Sequence, residues 1–455
     1  MGCVETLRTG AGKRAAGTLL RQHHSGRLEL VVIAAVLLIK LCSGLQNVPF
    51  HPDESQWIAT SYAFQAWIGG DFSAPVWHDS YWTRTQPPLT RYLIAVGWLA
   101  GGYNFHDLNT PWIWGFDEAT NLARGALPSP GVLWWSRLPM AILAAVSALA
   151  LFVLVTESAG RLAGYILVIL FAYNHFFLYA LRRAMSETPL LVCLTLAMLA
   201  GCSAATSWQQ LRRNAHGLLR SFIQPLLRFG LMGFLCGAAT AAKLNGALAV
   251  LSGLALVALL AATRTANLSR VFRVAVVGCS AIVITASAAG TFVACNPYLY
   301  PNVPARSMAM LRQRFEEMAK QQGFAPSQVI RGAEAHALEI LRSVFEDLAT
   351  VSFTGSWLLN LPLCIVGFGY FVAAGWHWLR NSAGSAAAAV TVLTALICAM
   401  PALLTPLAWD RYFLLPVVFS TMFIAVGLSA VLNAAARRGL PRLPDSGPGA
   451  PVSVV

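Results

Sequence analysis

Charged side chains are scarce in this chain: Asp, Glu, Lys and Arg make up 11% of its 455 residues, against 57% hydrophobic. With a mean hydropathy of +0.60, that scarcity excludes an ordinary soluble domain. Acidic residues are the rarer sign, 19 against 32 Lys and Arg, for a net charge of +13. In a soluble protein such an excess would suggest nucleic acid. Here the basic residues mostly flank apolar runs, where they set topology and meet anionic headgroups, so membrane lipids are expected partners and nucleic acid is not. The nine cysteines form no C-x-x-C pair and have no histidine at ligand spacing, which argues against a disulfide framework and a structural metal. A Gly-rich phosphate loop, a Walker motif, a nucleophile elbow, a zinc-type His pair and an internal repeat are all missing.

What the chain has instead is many apolar stretches of about 20 residues, each long enough as a helix to cross a hydrocarbon core of ~30 Å. The expected fold class is all-α, a polytopic helical bundle. Ten spans are predicted, near 28–45, 134–156, 162–181, 188–207, 228–243, 245–262, 274–295, 357–378, 386–408 and 412–434. "YLIAVGWLAGG", 92–102, is too short to cross and is expected at the interface. Segment 1–27, with Arg8, Lys13, Arg14, Arg21 and Arg27, reads as the cytoplasmic flank of a signal anchor, and the Pro/Gly-rich tail 435–455 as disordered. With both termini inside, the basic loops around Arg212, Arg264 and Arg437 also fall inside. The sequon at Asn267 then lies on the inner side and carries no meaning. A bacterial inner membrane is favoured over the endoplasmic reticulum.

Two longer regions, 46–133 and 296–356, fall outside the spans on the external face of the domain 28–434. The first is rich in aromatics and turn residues, as interfacial helices are. In the second, Met308, Leu311, Phe315 and Met318, and again Leu338, Leu341, Phe345 and Leu348, recur at helical spacing. They predict amphipathic helices against the bilayer or over a cavity. On this topology several charges from distant spans gather on one face: "HPDE" with His51, Asp53 and Glu54, "LRRAMSE" with Arg182, Arg183 and Glu187, then Lys243 and Asn245, and "WDRYF" with Asp410 and Arg411. Ionisable groups at a bilayer margin are costly unless paired or solvated, so a one-sided cluster marks a candidate site. A carboxylate there can act as general base, and Arg and Lys can hold a phosphate. Each has a plainer alternative. Asp53 and Glu54 could cap a helix behind Pro52, Arg182 and Arg183 could anchor a helix at headgroups, Arg411 could pair with Asp410, and His51 could be a hydrogen-bonding neighbour. A transporter of lipid or lipid-linked sugar is the competing reading, disfavoured because the charges sit at one face and no half-repeat is visible.

In order along 28–434, the acidic "DE" after the first span, "QPPLTRYLIAVGWLAGG", "SRLPMAILAAVSALALFVL", "RRAMSETPLL", "GAATAAKLNG" and "DRYFLLP" resemble the membrane glycosyltransferases of the GT-C superfamily. The branch most resembled is that of the protein O-mannosyltransferases and lipid A aminoarabinose transferases. The resemblance implies a polyprenyl- or dolichyl-phosphate sugar donor and a glycan, lipid or protein acceptor. It implies Asp53, with Glu54 beside it, as the base that deprotonates the acceptor. Arg183 and Glu187 match a turn that lines the family's site, with Glu where many members have Asp, and Lys243 and Arg411 match residues that hold the donor phosphate. Some superfamily members need a divalent cation, so that requirement stays open. The chain shows no counterpart of the large soluble domain or β-trefoil inserts of some relatives, which leaves the acceptor unassigned.

Overall fold

A computed structural model describes residues 26–213, 218–263, 270–349, 357–381 and 383–439. The basic segment 1–25, the sequon at Asn267 and the tail beyond 439 lie outside them. Helices make up the described architecture, with an isolated antiparallel bridge from Val329 to Leu407 and no strand among the described residues. The longer helices are labelled α1 (26–42), α2 (Pro52–Ala59), α3 (Leu89–Ala100), α4 (Pro130–Ala159), α5 (Arg161–Tyr173), α6 (Glu187–Arg213), α7 (Leu218–Ala242), α8 (Ala247–Ala262), α9 (Arg270–Cys295), α10 (Val303–Phe324), α11 (Ala333–Arg342), α12 (Trp357–Asn381), α13 (Ala386–Cys398) and α14 (Leu414–Gly439).

Among the described residues eight helices are long and apolar enough to cross a membrane: α4, α6, α7, α8, α9, α12, α13 with its extension to Leu404, and α14. The chain is an integral membrane protein. Two of the ten expected spans are shorter. Helix α1 occupies 26–42. The expected span 162–181 is broken: α5 stops at Tyr173, where Asn174 turns extended and its Oδ1 accepts the N–H of Phe177, starting a new short helix, His175–Ala180. The last helix runs on to Gly439, past the boundary expected at 434.

Helix α14 is central, 78% buried over its apolar window, whereas α9 is a rim helix, 22% buried. On α9 Val271, Val274 and Ile282 point outward, as side chains that meet lipid tails do. Helices α12 and α14 approach through reciprocal glycines. A Cβ on Gly367 would strike the Phe423 carbonyl, and one on Gly427 the Leu363 carbonyl, the small-residue packing that substitutes for hydrophobic drive inside a bilayer. Helices α7 and α8 stay separate, as expected, because the chain turns back through Lys243–Gly246. A Cβ on Gly246 would sit 2.2 Å from the Ala239 carbonyl carbon, so only glycine lets the turn close against α7.

The two amphipathic helices of the second longer region, 296–356, are α10 and α11, with a π-helical turn after α11 at Ser343–Asp347. On α10 the apolar residues Met308, Leu311 and Phe315 face outward. The inward face carries Arg314, Gln321 and Met310, tied to the rest of the chain. The Tyr412 hydroxyl accepts from Arg314 at 3.1 Å and donates to Gln321 at 3.1 Å. Between α10 and α11 the backbone pairs with the segment leading into α14: Ile330 N–H donates to Pro406 O and Ala408 N–H to Gln328 O. This region therefore braces residues 405–412, which carry Arg411.

Candidate functional site

Helix α2 places the two adjacent carboxylates. Pro52 at its first position has no N–H to leave unsatisfied, and His51 is the N-cap, its Nδ1 accepting the Asp53 N–H at 3.1 Å. Glu54 completes the capping box by accepting the His51 N–H through Oε2 at 3.1 Å. Because His51 Nδ1 is an acceptor, the ring is neutral with its proton on Nε2. Burial lowers the His51 pKa, helped by Arg411 and Arg183 and opposed by Asp53 and Glu187.

From that shared start the side chains diverge. Glu54 points into the bundle and meets the fork of Arg137 on α4, with Nε to Oε1 at 2.8 Å and Nη2 to Oε2 at 2.7 Å. Oε1 also accepts the Ala184 N–H, and Arg137 Nη1 reaches the carbonyls of Leu45 and Val48. The pair is sealed, with side chains 1% and 0% exposed. Asp53 points the other way, to Arg411, which lies at the far end of the sequence and holds Oδ2, while the Trp114 indole donates to Oδ1 at 3.2 Å. This second pair keeps access, with 26% of the Arg411 side chain and 11% of Asp53 exposed. Burial would raise the Asp53 pKa, but Arg411, His51 and the Trp114 hydrogen bond together hold it below the usual carboxylate range. Burial would lower that of Arg411, and the Asp53 charge overrides it and raises it.

Next to this pair, Glu187 at the start of α6 accepts from Lys243 through Oε1 at 2.8 Å. Its Oε2 is buried with no partner among the described residues. Lys243, Asn245, Arg411 and Tyr412 line one narrow cleft with Leu190 and Pro401. Arg183 lies over the Tyr179 ring and donates through Nε to Pro49 O at 3.0 Å. Burial lowers its pKa.

The other predicted residues do different work. Arg182 donates to Leu178 O and Ser43 O, tying down the end of α1, and lines a separate open groove with Tyr179, His175 and Asn47. Asp410 is exposed and takes the Tyr179 hydroxyl at 2.7 Å, so Arg411 pairs with Asp53 and not with its neighbour. Arg137, Trp114, Tyr179 and Tyr412 were not among the sequence candidates. Arg137 had a signal, since an arginine inside the apolar run "SRLPMAILAAV" requires a partner.

The donor set does not suit a metal ion. Three of the four candidate carboxylates, Asp53, Glu54 and Glu187, already face a cation, the fourth, Asp410, takes the Tyr179 hydroxyl, and among the described residues no cluster of three His, Cys, Asp or Glu could hold an ion.

No family model and no curated protein matches the sequence. Solved structures do resemble the fold. An Archaeoglobus fulgidus oligosaccharyltransferase tethered to an acceptor peptide aligns at TM-score 0.51 and 14% identity, over 90% of this chain and 50% of that one. ArnT from Cupriavidus metallidurans, bound to undecaprenyl phosphate, aligns at TM-score 0.47 and 14% identity, over 90% and 63%. The S. cerevisiae protein O-mannosyltransferase Pmt1-Pmt2 complex, bound to its sugar donor, aligns at 0.39 and 16%, over 60% and 33%. This chain spans between a third and two thirds of the length of these structures. In architecture, the chain shares the fold of the part of the Archaeoglobus fulgidus oligosaccharyltransferase that it covers.

Proposed function

We propose that the chain transfers a sugar from a polyprenyl- or dolichyl-phosphate carrier to an acceptor at the external face of its membrane, with inversion at C1. The observation that carries this reading is the Asp53–Arg411 pair, a depressed carboxylate and a guanidinium at the cleft that Lys243 and Asn245 also line. Asp53, ionised at neutral pH, takes the proton of the acceptor hydroxyl. The acceptor oxygen bonds to C1 as the bond from C1 to the phosphate oxygen breaks. Arg411 spends one nitrogen on Asp53 and has others for the phosphate, and Lys243 and Arg183 add positive charge for the leaving group. The orphaned Glu187 Oε2 takes a sugar hydroxyl. Glu54, with both oxygens spent, positions α2 and thereby Asp53.

The test is transfer of radiolabelled sugar from a panel of polyprenyl-phosphate sugars in reconstituted membranes. Wild type should move label to an acceptor, and Asp53→Asn should not. If neither transfers while both move labelled lipid between leaflets at equal rates, transport replaces this reading.

A further inference from the structure

Arg91 lies on α3, in the stretch "QPPLTR" that the mechanism above does not use. The residue is 1% exposed, among the largest fully buried side chains. Its one hydrogen bond runs from Nη2 to Gln86 O at 3.1 Å. Among the described residues Nε is buried without a partner, and no carboxylate pairs with the group. Arg137, buried to the same degree, is fully engaged by a glutamate and two carbonyls. A guanidinium that is 1% exposed, with its Nε idle and no counterion, is unfavourable unless something anionic joins it.

The backbone around it has the same deficit. Arg91 is the third residue of α3, whose N-cap is Pro88 with no side-chain cap. The first hydrogen bond of the helix is Tyr92 N–H to Pro88 O, so the N–H groups of Leu89, Thr90 and Arg91 have no acceptor among the described residues. Pro88, Thr90 and Arg91 are all buried, and a buried helix start without a cap is an anion site by charge and by geometry. The surroundings locate it. Thr90 Oγ1 donates to Ala242 O, next to Lys243, and Gln86 Oε1 accepts from Thr60, at the far end of α2 from Asp53. Two turns of helix, roughly 10 Å, separate Thr60 from Asp53.

We propose that the α3 N-terminus and Arg91 form a second oxyanion subsite, distinct from the Asp53–Arg411 cleft, that takes a phosphate or carboxylate group of the bound substrate. The binding stands on the geometry alone. Its use for a substrate carrying a second negative group rests on the transferase reading.

The probes are inorganic pyrophosphate and glucuronate, titrated into the full chain in detergent at matched ionic strength, with affinity read from thermal unfolding. At least one should bind wild type saturably and bind Arg91→Met about tenfold or more weakly, with Arg91→Lys between, as expected for loss of a charged hydrogen bond. Arg91→Met should weaken that binding by the same factor, within about threefold, in a Lys243→Met background as in wild type. Dependence on Arg91 for pyrophosphate alone identifies a second phosphate, and for glucuronate alone a carboxylate. Without ligand, Arg91→Met should melt no lower than wild type, because it removes an uncompensated charge. If Arg91→Met melts lower and neither ion distinguishes it from wild type, Arg91 is structural and the subsite does not exist. Binding lost in Lys243→Met but kept in Arg91→Met would place the ion in the cleft and overturn the proposal equally. Should Arg91→Met fail to fold, the Arg91→Lys affinities decide: unchanged binding refutes the subsite. None of these outcomes depends on sugar transfer.

Discussion

One peptide bond separates Glu54, sealed in the bundle with Arg137, from Asp53, held at the cleft by Arg411. Both are carboxylates on the first turn of the same helix, and both face an arginine. Glu54 spends both oxygens on protein donors and sees no water, whereas Asp53 has a partner that is one quarter exposed and borders a cleft. An ion pair with every bond made and no access is architecture. The same pair with access is a place where an incoming anion can compete for the arginine.

Breaking the sealed pair should do the most damage. Arg137→Ala leaves Glu54 buried and unpaired, a cost of about 3–5 kcal/mol, so the variant should lose its folded peak in detergent size-exclusion chromatography. If it melts like wild type, Glu54 is not the structural member of the couple. Asp53→Asn is nearly isosteric and should remain folded while transfer falls by about 10²-fold or more, the contribution of a general base. A transfer rate within a few fold of wild type would take the role from Asp53. Smaller still is the acid limb. The Asp53 pKa is depressed in the folded chain, so the stability its pairing adds is complete above the ordinary carboxyl value and is lost as pH falls through the lower folded value. Transfer should therefore show no Asp53-dependent decline between neutrality and mild acidity, and a decline already at neutral pH would contradict the pairing. The smallest effect concerns the helix start that the two carboxylates share. His51→Ala removes the cap on Asp53 N–H and should cost ~1 kcal/mol of stability, and His51→Asn should restore most of it. Because the folded His51 pKa is lowered, wild type should lose stability as pH drops below the ordinary histidine value, and His51→Asn should lose less.

The all-α bundle was legible in the apolar runs, since a helix is the one open structure that satisfies its own backbone in lipid. The expectation that Asp53, Lys243 and Arg411 gather came from placing their span ends on one face, and the three do meet around one cleft. Which charge pairs with which was not legible. Asp410 and Arg411 are adjacent, yet the short helix Asp410–Tyr412 sends them to Tyr179 and Asp53 respectively. Glu54 found an arginine from inside a span, a choice made by helix rotation and packing that no spacing in "HPDE" encodes. The break at Asn174 was missed because hydropathy averages over a capping residue that stops a helix locally.

The two pairs also differ in when they can exist. Glu54 and Arg137 are 83 residues apart and Asp53 and Arg411 are 358 apart. A chain made at about 5–20 residues per second therefore holds the means to close the first pair tens of seconds before the second. Until Arg411 emerges, Asp53 is without its counterion. A molecule that stops short of Arg411 holds both members of the sealed pair and only one member of the open pair, which ties completion of the second pair to the segment leading into α14.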